Sequence, residues 1–214
     1  MSKKYSLTKN TKVWCGITLF QIKAEMSFGS IVKGELGGYI EKEENLSQVS
    51  GDAWVSGDAW VYGNAQVYGN AQVFGNAQVY GNAQVFGNAR VFGNAQVYGN
   101  AQVFGNAQVF GNARVFGNAR VYGDARVSGD AWVYGNAWVY AKAQFTKGWF
   151  IGGDDTGKIT DITDKTGSTY WKNQYVLGDY KINPIEEEVK KEVSLSGKEV
   201  SVTLDGKTYK AIIS

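Results

Sequence analysis

The sequence predicts an all-β protein whose central part is a parallel β-solenoid built from triangular coils. Three observations carry this prediction. The six-residue word G-[ND]-A-x-V-x is repeated 15 times without a gap from Gly51 to Tyr140. Within each word, Ala and Val alternate with the two variable residues, as residues alternate between the two faces of a strand. The chain has 28 glycines and one proline, and a glycine begins every word, where it allows a sharp turn.

Two architectures can use this alternation. An antiparallel meander would place each Gly-Asn pair in a two-residue hairpin turn. It would also leave the Ala/Val side of the sheet uncovered and the outermost strands unpaired. A solenoid with three words, or 18 residues, in each coil buries Ala and Val in a shared interior and leaves only two ends to cover. We therefore favour the solenoid, with five regular coils stacked over roughly 24 Å at the usual strand spacing.

Three words in a coil place every third word on the same side, which defines three faces by their outward residues. Face one carries Trp54, Gln72, Arg90, Gln108 and Arg126 beside Ser56, Phe74, Phe92, Phe110 and Ser128. Face two carries Trp60, Gln78, Gln96, Arg114 and Trp132 beside Tyr62, Tyr80, Tyr98, Phe116 and Tyr134. Face three carries Gln66, Gln84, Gln102, Arg120 and Trp138 beside Tyr68, Phe86, Phe104, Tyr122 and Tyr140. Each face thus has an aromatic column, which is more apolar surface than a soluble monomer usually shows.

The flanking segments lack the repeat and divide the chain into three parts. Residues 1–44 are predicted to form an N-terminal β cap over the first coil, with two strands around Gly16. Residues 45–146 form the hexapeptide-repeat β-helix, including one degenerate word at each end. Residues 147–214 are predicted to form a small β-rich C-terminal module. It includes a hairpin around Asp205-Gly206 and one or two helical turns in "PIEEEVKKEV".

The spacing of G-[ND]-A-x-V-x resembles the hexapeptide repeat of left-handed parallel β-helix proteins, over about 100 residues. This resemblance implies a left-handed solenoid, although general crossover rules favour the right hand. It also implies a homotrimer of parallel prisms. The segment "GELGGYIEKEENLS", which leads into the repeats, resembles the N-terminal modules of hexapeptide-repeat proteins from bacteriophages and prophages. That likeness implies a phage origin rather than a particular activity.

Composition argues against several classes of partner and location. The formal net charge is +2, which gives no general attraction to nucleic acid or to a membrane surface. No apolar run is long enough to span a bilayer, and no apolar stretch follows the N-terminal lysines, so a signal peptide is not expected. A single cysteine, Cys15, suits a reducing compartment. We expect a cytoplasmic protein, in the host cell if it is phage-encoded.

The residues also argue against an enzyme. Many hexapeptide-repeat proteins are acyltransferases with a histidine base, and a related carbonic anhydrase binds zinc through histidines, but this chain has no histidine. "GGDDTGK" matches a P-loop only in part, because Ile159 stands where Ser or Thr should bind magnesium. Four nearby aspartates lack the spacing of an EF-hand: Asp154, Asp155, Asp161 and Asp164. We expect no cofactor and no metal. A carboxylate enzyme site in the C-terminal module is the weakest alternative.

Two groups of outward residues are candidate binding sites. The aromatic column of face two is the candidate oligomer interface: Tyr62, Tyr80, Tyr98, Phe116 and Tyr134. Near the far end, three successive words place one arginine on each face, with aromatic residues close by. This group is a candidate site for a ligand or partner: Arg114, Arg120, Arg126, Tyr122, Trp132 and Trp138.

These sites lead to two hypotheses of function. The first is a non-catalytic scaffold or binding protein that forms homo-oligomers, preferably trimers, and acts through protein contacts, for instance by blocking a host protein. The alternative is a small-molecule binder that sequesters a nucleotide-type host-defence signal, because aromatic rings stack on bases and arginines hold phosphates.

Overall fold

The computed structural model of this chain describes residues 3–49, 51–140, 143–152, 168–171, 174–177, 180–182, 199–204 and 207–212. The chain forms two compact units, Met1–Asn183 and Pro184–Ser214. Within the described residues, secondary structure is almost entirely β, with one short 3₁₀ helix at Glu43–Asn45. The predicted all-β fold with a parallel solenoid is confirmed, and the solenoid has about six coils where five regular coils were predicted.

Up to β15, each word of the repeat forms one strand of two residues, and a turn separates it from the next. The strands before the last coil are β4 Trp54–Val55, β5 Trp60–Val61, β6 Gln66–Val67, β7 Gln72–Val73, β8 Gln78–Val79, β9 Gln84–Val85, β10 Arg90–Val91, β11 Gln96–Val97, β12 Gln102–Val103, β13 Gln108–Val109, β14 Arg114–Val115 and β15 Arg120–Val121. The last coil contains the longer β16 (Arg126–Gly135) and β17 (Trp138–Val139). The Ala and Val of every word are buried, so the inward side of the alternation is confirmed.

Strands that lie 18 residues apart pair in parallel and in register, which confirms the three faces. On face one, Arg90 pairs with Gln72 on one side and with Gln108 on the other. Face two runs β5-β8-β11-β14-β16, and face three runs β6-β9-β12-β15-β17. Coils are joined by backbone hydrogen bonds, such as the bond from Gln96 N to Ala113 O at 2.9 Å. The left hand implied by the resemblance stays a prediction.

Glycine is required at the corners for two separate reasons. Gly93, for example, has a φ of +71°, a conformation that costs other L-residues free energy. A Cβ at Gly93 would also lie 3.0 Å from the backbone nitrogen of Gly111 in the next coil. A side chain at this corner would therefore be strained by its φ and would press on the backbone of the next coil.

The asparagines that follow the corner glycines form three hydrogen-bonded ladders along the solenoid, which the sequence reading did not foresee. In each ladder the side-chain amide donates to the Oδ1 atom one coil further on, at 2.9–3.2 Å. Two ladders end on Asp124 and Asp130, which accept these bonds. Because a carboxylate has no proton to donate, these two residues set the direction of their ladders.

The N-terminal segment forms the predicted cap. Strands β1 (Tyr5–Trp14) and β2 (Ile17–Ala24) are antiparallel around the turn at Cys15 and Gly16. Strand β3 (Leu36–Ile40) pairs antiparallel with β2 and parallel with β5 of the first coil. The cap sheet thus continues directly into face two and covers the open edge of that coil.

The cap changes the environment of one outward residue. The alternation predicts that Trp54 points to solvent, and this is wrong, because Trp54 is only 3 % exposed. Its indole lies edge-on against Tyr5, at 6.4 Å between ring centroids, and against Phe28, at 5.5 Å. The cap therefore buries an aromatic side chain that belongs to the outer surface of the repeat.

At the other end, β18 (Ala143–Gly152) pairs in parallel with β16 and extends the solenoid pattern. The predicted boundary between residues 146 and 147 falls inside this strand. Strands β19 (Ser168–Trp171), β20 (Gln174–Leu177) and β21 (Tyr180–Ile182) continue the sheet through antiparallel pairing.

In the second unit, β22 (Glu199–Leu204) and β23 (Lys207–Ile212) form an antiparallel hairpin in which Leu204 is opposite Lys207. The predicted hairpin is confirmed by this register. "GGDDTGK" lies outside the described residues apart from its first glycine, and the four aspartates near it and the whole of "PIEEEVKKEV" lie outside them as well. In the described part of the chain, no helix is long and apolar enough to cross a membrane.

Candidate functional site

The aromatic columns are continuous stacks whose ring faces cover one another. In the middle of face two, the rings of Tyr98 and Phe116 lie 4.8 Å apart with an interplanar angle of 0°. Faces one and three show the same spacing between Phe92 and Phe110 and between Phe86 and Phe104. Since each inner ring has a neighbour on both sides, only its edge is left for solvent or for a partner. Free ring faces exist only at the ends of the columns.

The structure brings the five residues of the predicted interface into one unbroken column. Tyr62, Tyr80, Tyr98, Phe116 and Tyr134 stack at 4.8–4.9 Å with interplanar angles of 0–3°. Burial in the stack raises the pKa of the Tyr62 hydroxyl to about 12, with smaller contributions from Tyr80 and Cys15. Burial likewise raises the pKa of Tyr80 and of Tyr98.

Face two also has an exposed tryptophan at each end. Trp14, at the tip of the β1–β2 hairpin, lies 5.7 Å from Trp60 between ring centroids and is 50 % exposed. Trp149 of β18 stacks at 5.8 Å on Trp132 and is 49 % exposed. The apolar strip of face two therefore runs from the cap to the last coil and beyond the five-ring column.

The three arginines of the predicted ligand site lie on three different faces. The Arg114 guanidinium lies 4.8 Å from the ring of Trp132, and that of Arg120 lies 5.1 Å from Trp138. Arg126 is exposed on face one, where it pairs with Gln108. The ring of Tyr122 makes an edge-on contact with that of Trp138, with 6.5 Å between the ring centroids. The structure thus makes two separate Arg–Trp pairs, on faces two and three, and does not join the three arginines in one pocket.

A groove on face one was missed by the sequence reading. It has a volume of about 260 Å³ and lies where the cap meets the first coils. Ser30 and Ile31 of the cap form one wall, and the residues of face one form the rest: Trp54, Ser56, Gln72, Phe74 and Arg90. The available signal was Ser56, a small residue at a position where the next two words have Tyr62 and Tyr68.

Metal ligands are not grouped in the part of the chain that the structure describes. Within those residues, no set of three or more His, Cys, Asp or Glu side chains is placed to hold a metal ion. The outward residues of the coils are instead amides, arginines and aromatic rings. These groups suit recognition by hydrogen bonding, charge and apolar contact.

The fold and these surfaces define a β-solenoid repeat protein. In agreement, the chain is similar to a family model described as the YdcK β-solenoid repeat, over residues 47–63, 65–81, 83–99, 95–109, 107–123 and 119–135. Comparison with curated proteins finds no match.

Proposed function

We propose that this protein is a non-catalytic scaffold that associates with copies of itself through face two and acts through protein contacts. The observation that carries the proposal is the apolar strip of face two, which ends in the half-exposed Trp14 and Trp149. Tryptophan is enriched at the centres of protein interfaces, where it contributes much of the binding free energy. Two such side chains at the ends of one aromatic column favour a partner surface of matching length.

The charge distribution on face two also favours association. From the first coil to the third, its outward residues are aromatic or amide side chains, such as Trp60, Gln78 and Tyr80. The first charged residue along its strands is Arg114, whose guanidinium lies against Trp132. Interface cores are depleted of charge relative to the rest of a protein surface. Over the first three coils, a second copy can therefore approach face two without burying a charged residue of its strands.

A closed, cyclic oligomer is the natural product of a straight face on a rigid rod, because most homo-oligomers close by symmetry. The resemblance to trimeric left-handed β-helix proteins favours three copies with parallel axes. If the chain is phage-encoded, as its N-terminal segment suggests, the surface left outside the interface is available to a host protein. Blocking such a protein by covering it requires no catalytic group, in keeping with a chain that has no histidine.

The test compares one substitution on two faces of the same coil. Gln78→Glu places a new carboxylate on face two, and Gln84→Glu places the same carboxylate on face three. In a symmetric interface the new charges of several copies would meet, and like charges brought together destabilise association. We expect wild-type protein and Gln84→Glu to run as trimers in native mass spectrometry and sedimentation velocity, and Gln78→Glu to dissociate. Matching circular dichroism spectra of the two variants at low temperature would show that both are folded.

A wild-type protein that stays monomeric at tens of micromolar, a concentration that sustains ordinary stable interfaces, would contradict the proposal. So would identical oligomeric states for the two variants, because the interface would then lie elsewhere. Dissociation of the Gln84→Glu variant alone would show that the interface lies on face three.

A further inference from the structure

Face one differs from the other faces at the start of its aromatic column. Ser56 occupies the position at which Tyr62 and Tyr68 supply the first rings of faces two and three. The column of face one therefore begins at Phe74, which stacks on Phe92 at 4.8 Å with an interplanar angle of 1°. Among the described residues, no aromatic ring stacks on the other face of Phe74. One ring is missing from the stack, at the level of Ser56.

The space of the missing ring is a partly open groove. The groove of about 260 Å³ contains Ser56 and Phe74 in its walls, and Ile31 of the cap lines one side of it. A cavity of about 150 Å³ is enough to hold a benzene ring, so one ring with a small substituent fits. The serine at the opposite end of face one leaves no such space: Ser128 is buried, and its hydroxyl donates to Phe145 O at 3.2 Å.

One residue that lines the groove has a buried polar atom without a partner. Trp54 is 3 % exposed, and its Nε1 atom has no hydrogen-bond acceptor among the described residues. Buried N–H groups nearly always donate to some acceptor, and an unpaired one costs free energy. Trp60 has the same feature, but it lies outside the groove.

The charge of the groove is positive. Arg90 is the charged residue among those that line it, and its side chain is exposed. Its guanidinium carbon lies 5.3 Å from the ring centre of Phe74 and 5.8 Å from that of Phe92. Since these two rings are 4.8 Å apart, the guanidinium lies beside the stack and leaves the free face of Phe74 uncovered. Arg90 has no salt bridge with any described acidic residue, so its charge is available.

We propose that this groove is a binding site for a small planar aromatic molecule with an anionic substituent. The aromatic ring takes the place of the missing ring and stacks on Phe74 at the spacing of one coil. The anionic group is held by Arg90, whose exposed side chain can turn toward the level of Ser56. This site lies on face one and is independent of association through face two.

The first experiment measures binding of simple probes by ligand-observed NMR, with titration to saturation. Benzoate and phenyl phosphate carry both features, benzyl alcohol carries the ring without the charge, and cyclohexanecarboxylate carries the charge without a flat ring. We expect one benzoate or phenyl phosphate per chain with a Kd in the millimolar range, appropriate to a single ring and one ion pair. The other two probes should bind several-fold more weakly. The tighter of the two anions identifies carboxylate or phosphate as the preferred group.

Variants then test the geometry. Ser56→Phe should complete the column with the protein's own ring, raise the melting temperature and abolish probe binding. Ser128→Phe, where no space exists, should lower the melting temperature. Arg90→Gln, which restores the residue found at Gln72 and Gln108, should weaken benzoate binding about three- to five-fold, as for an exposed ion pair, and leave benzyl alcohol unchanged. Arg126→Gln on the same face is the matched control and should change the binding of neither benzoate nor benzyl alcohol.

Two results would overturn the proposal: no detectable binding of either anionic probe to the wild-type protein, or benzoate binding that survives Ser56→Phe. If the Ser56→Phe variant does not fold, the binding of benzoate and benzyl alcohol to the Arg90→Gln variant tests the proposal. Equal loss of benzoate and benzyl alcohol in that variant, or no loss of either, would contradict the assigned role of Arg90.

Discussion

Each position of the word G-[ND]-A-x-V-x has its own physical role, and these roles follow the same order in every word. The glycine adopts a positive φ and lies against the next coil, as at Gly93. The asparagine hydrogen-bonds along the axis, as from Asn82 to Asn100 at 3.0 Å. The valine fills the interior, where Val97 has no exposed surface. Because the next coil presents the same groups at each position, a residue that suits one coil suits every coil.

The difference between inward and outward positions can be tested with one substitution at two neighbouring residues. Val97→Asp would bury a carboxylate without a partner, which we expect to destabilise the solenoid by more than about 4 kcal/mol, the range of severe single substitutions. Gln96→Asp places the same group on the surface, where we expect a change within about 1 kcal/mol. Thermal unfolding followed by circular dichroism distinguishes them. Similar melting temperatures for the two variants would mean that the inward and outward assignments are mistaken.

At the scale of elements, the cap is joined to the first coils by buried polar contacts as well as by strand pairing. The Tyr5 hydroxyl lies 2.6 Å from Leu46 O and 2.9 Å from Glu43 O. The Lys4 ammonium donates to Ala53 O at 3.0 Å. Burial lowers the pKa of Lys4, and nearby Asp52 opposes this effect. These contacts hold the first strand in place beside the 3₁₀ helix and the first coil.

Removing one of these contacts should loosen the cap without unfolding the coils. Tyr5→Phe leaves the buried Leu46 carbonyl without its hydroxyl donor, at a cost of about 1–3 kcal/mol. We expect faster amide hydrogen exchange in β1, β2 and β3 and little change in the central coils, because a repeat transmits destabilisation mainly to its neighbours. Tyr39→Phe is the control, since the Tyr39 hydroxyl has no hydrogen-bond partner in the described part of the chain. Uniform exchange along the whole solenoid would contradict this local role.

At the scale of the whole solenoid, side chains are linked along the axis by three asparagine ladders and three aromatic columns. The columns of faces two and three have five rings each, and that of face one has three. Stacked rings exclude water from one another, and this burial raises the pKa of Tyr62, Tyr80 and Tyr98, which keeps their hydroxyls neutral to higher pH. The columns should therefore make the solenoid lose stability as the pH becomes alkaline.

The sign of this dependence follows from the raised pKa values. Tyr62 has a folded pKa of about 12 against an ordinary value of 10.0, so the unfolded chain releases its proton first as the pH rises. The stabilisation is fully present below pH 10 and is lost as the pH rises through about 12. We expect the triple variant Tyr62→Phe, Tyr80→Phe, Tyr98→Phe to match wild type at neutral pH, since Phe116 already occupies this column. Its melting temperature should fall less than that of wild type toward about pH 11. Parallel curves would show that these hydroxyls are not buried by stacking.

Much of the candidate interface was readable from the sequence because it is periodic. A spacing of 18 residues assigns Tyr62 and Tyr80 to one column, and the parallel register of the strands confirms it. The groove on face one was not readable in this way. Ser56 and Ser128 both mark positions without a ring in the column. At Ser56 a groove is left beside Ile31 of the cap. At Ser128 the backbone of Phe145 packs against the serine and accepts its hydroxyl.

The repeated word specifies the solenoid, its coil length and the residues of each face, because every word repeats the same local preferences and each coil meets its own copy. The contacts where the repetition ends are specified by the folded chain instead. Burial of Trp54 by Phe28, contact of Trp14 with Trp60, and the pairing of β16 with β18 all join segments without a common period. Such contacts depend on the shape of two different surfaces, and no spacing along the chain encodes that shape.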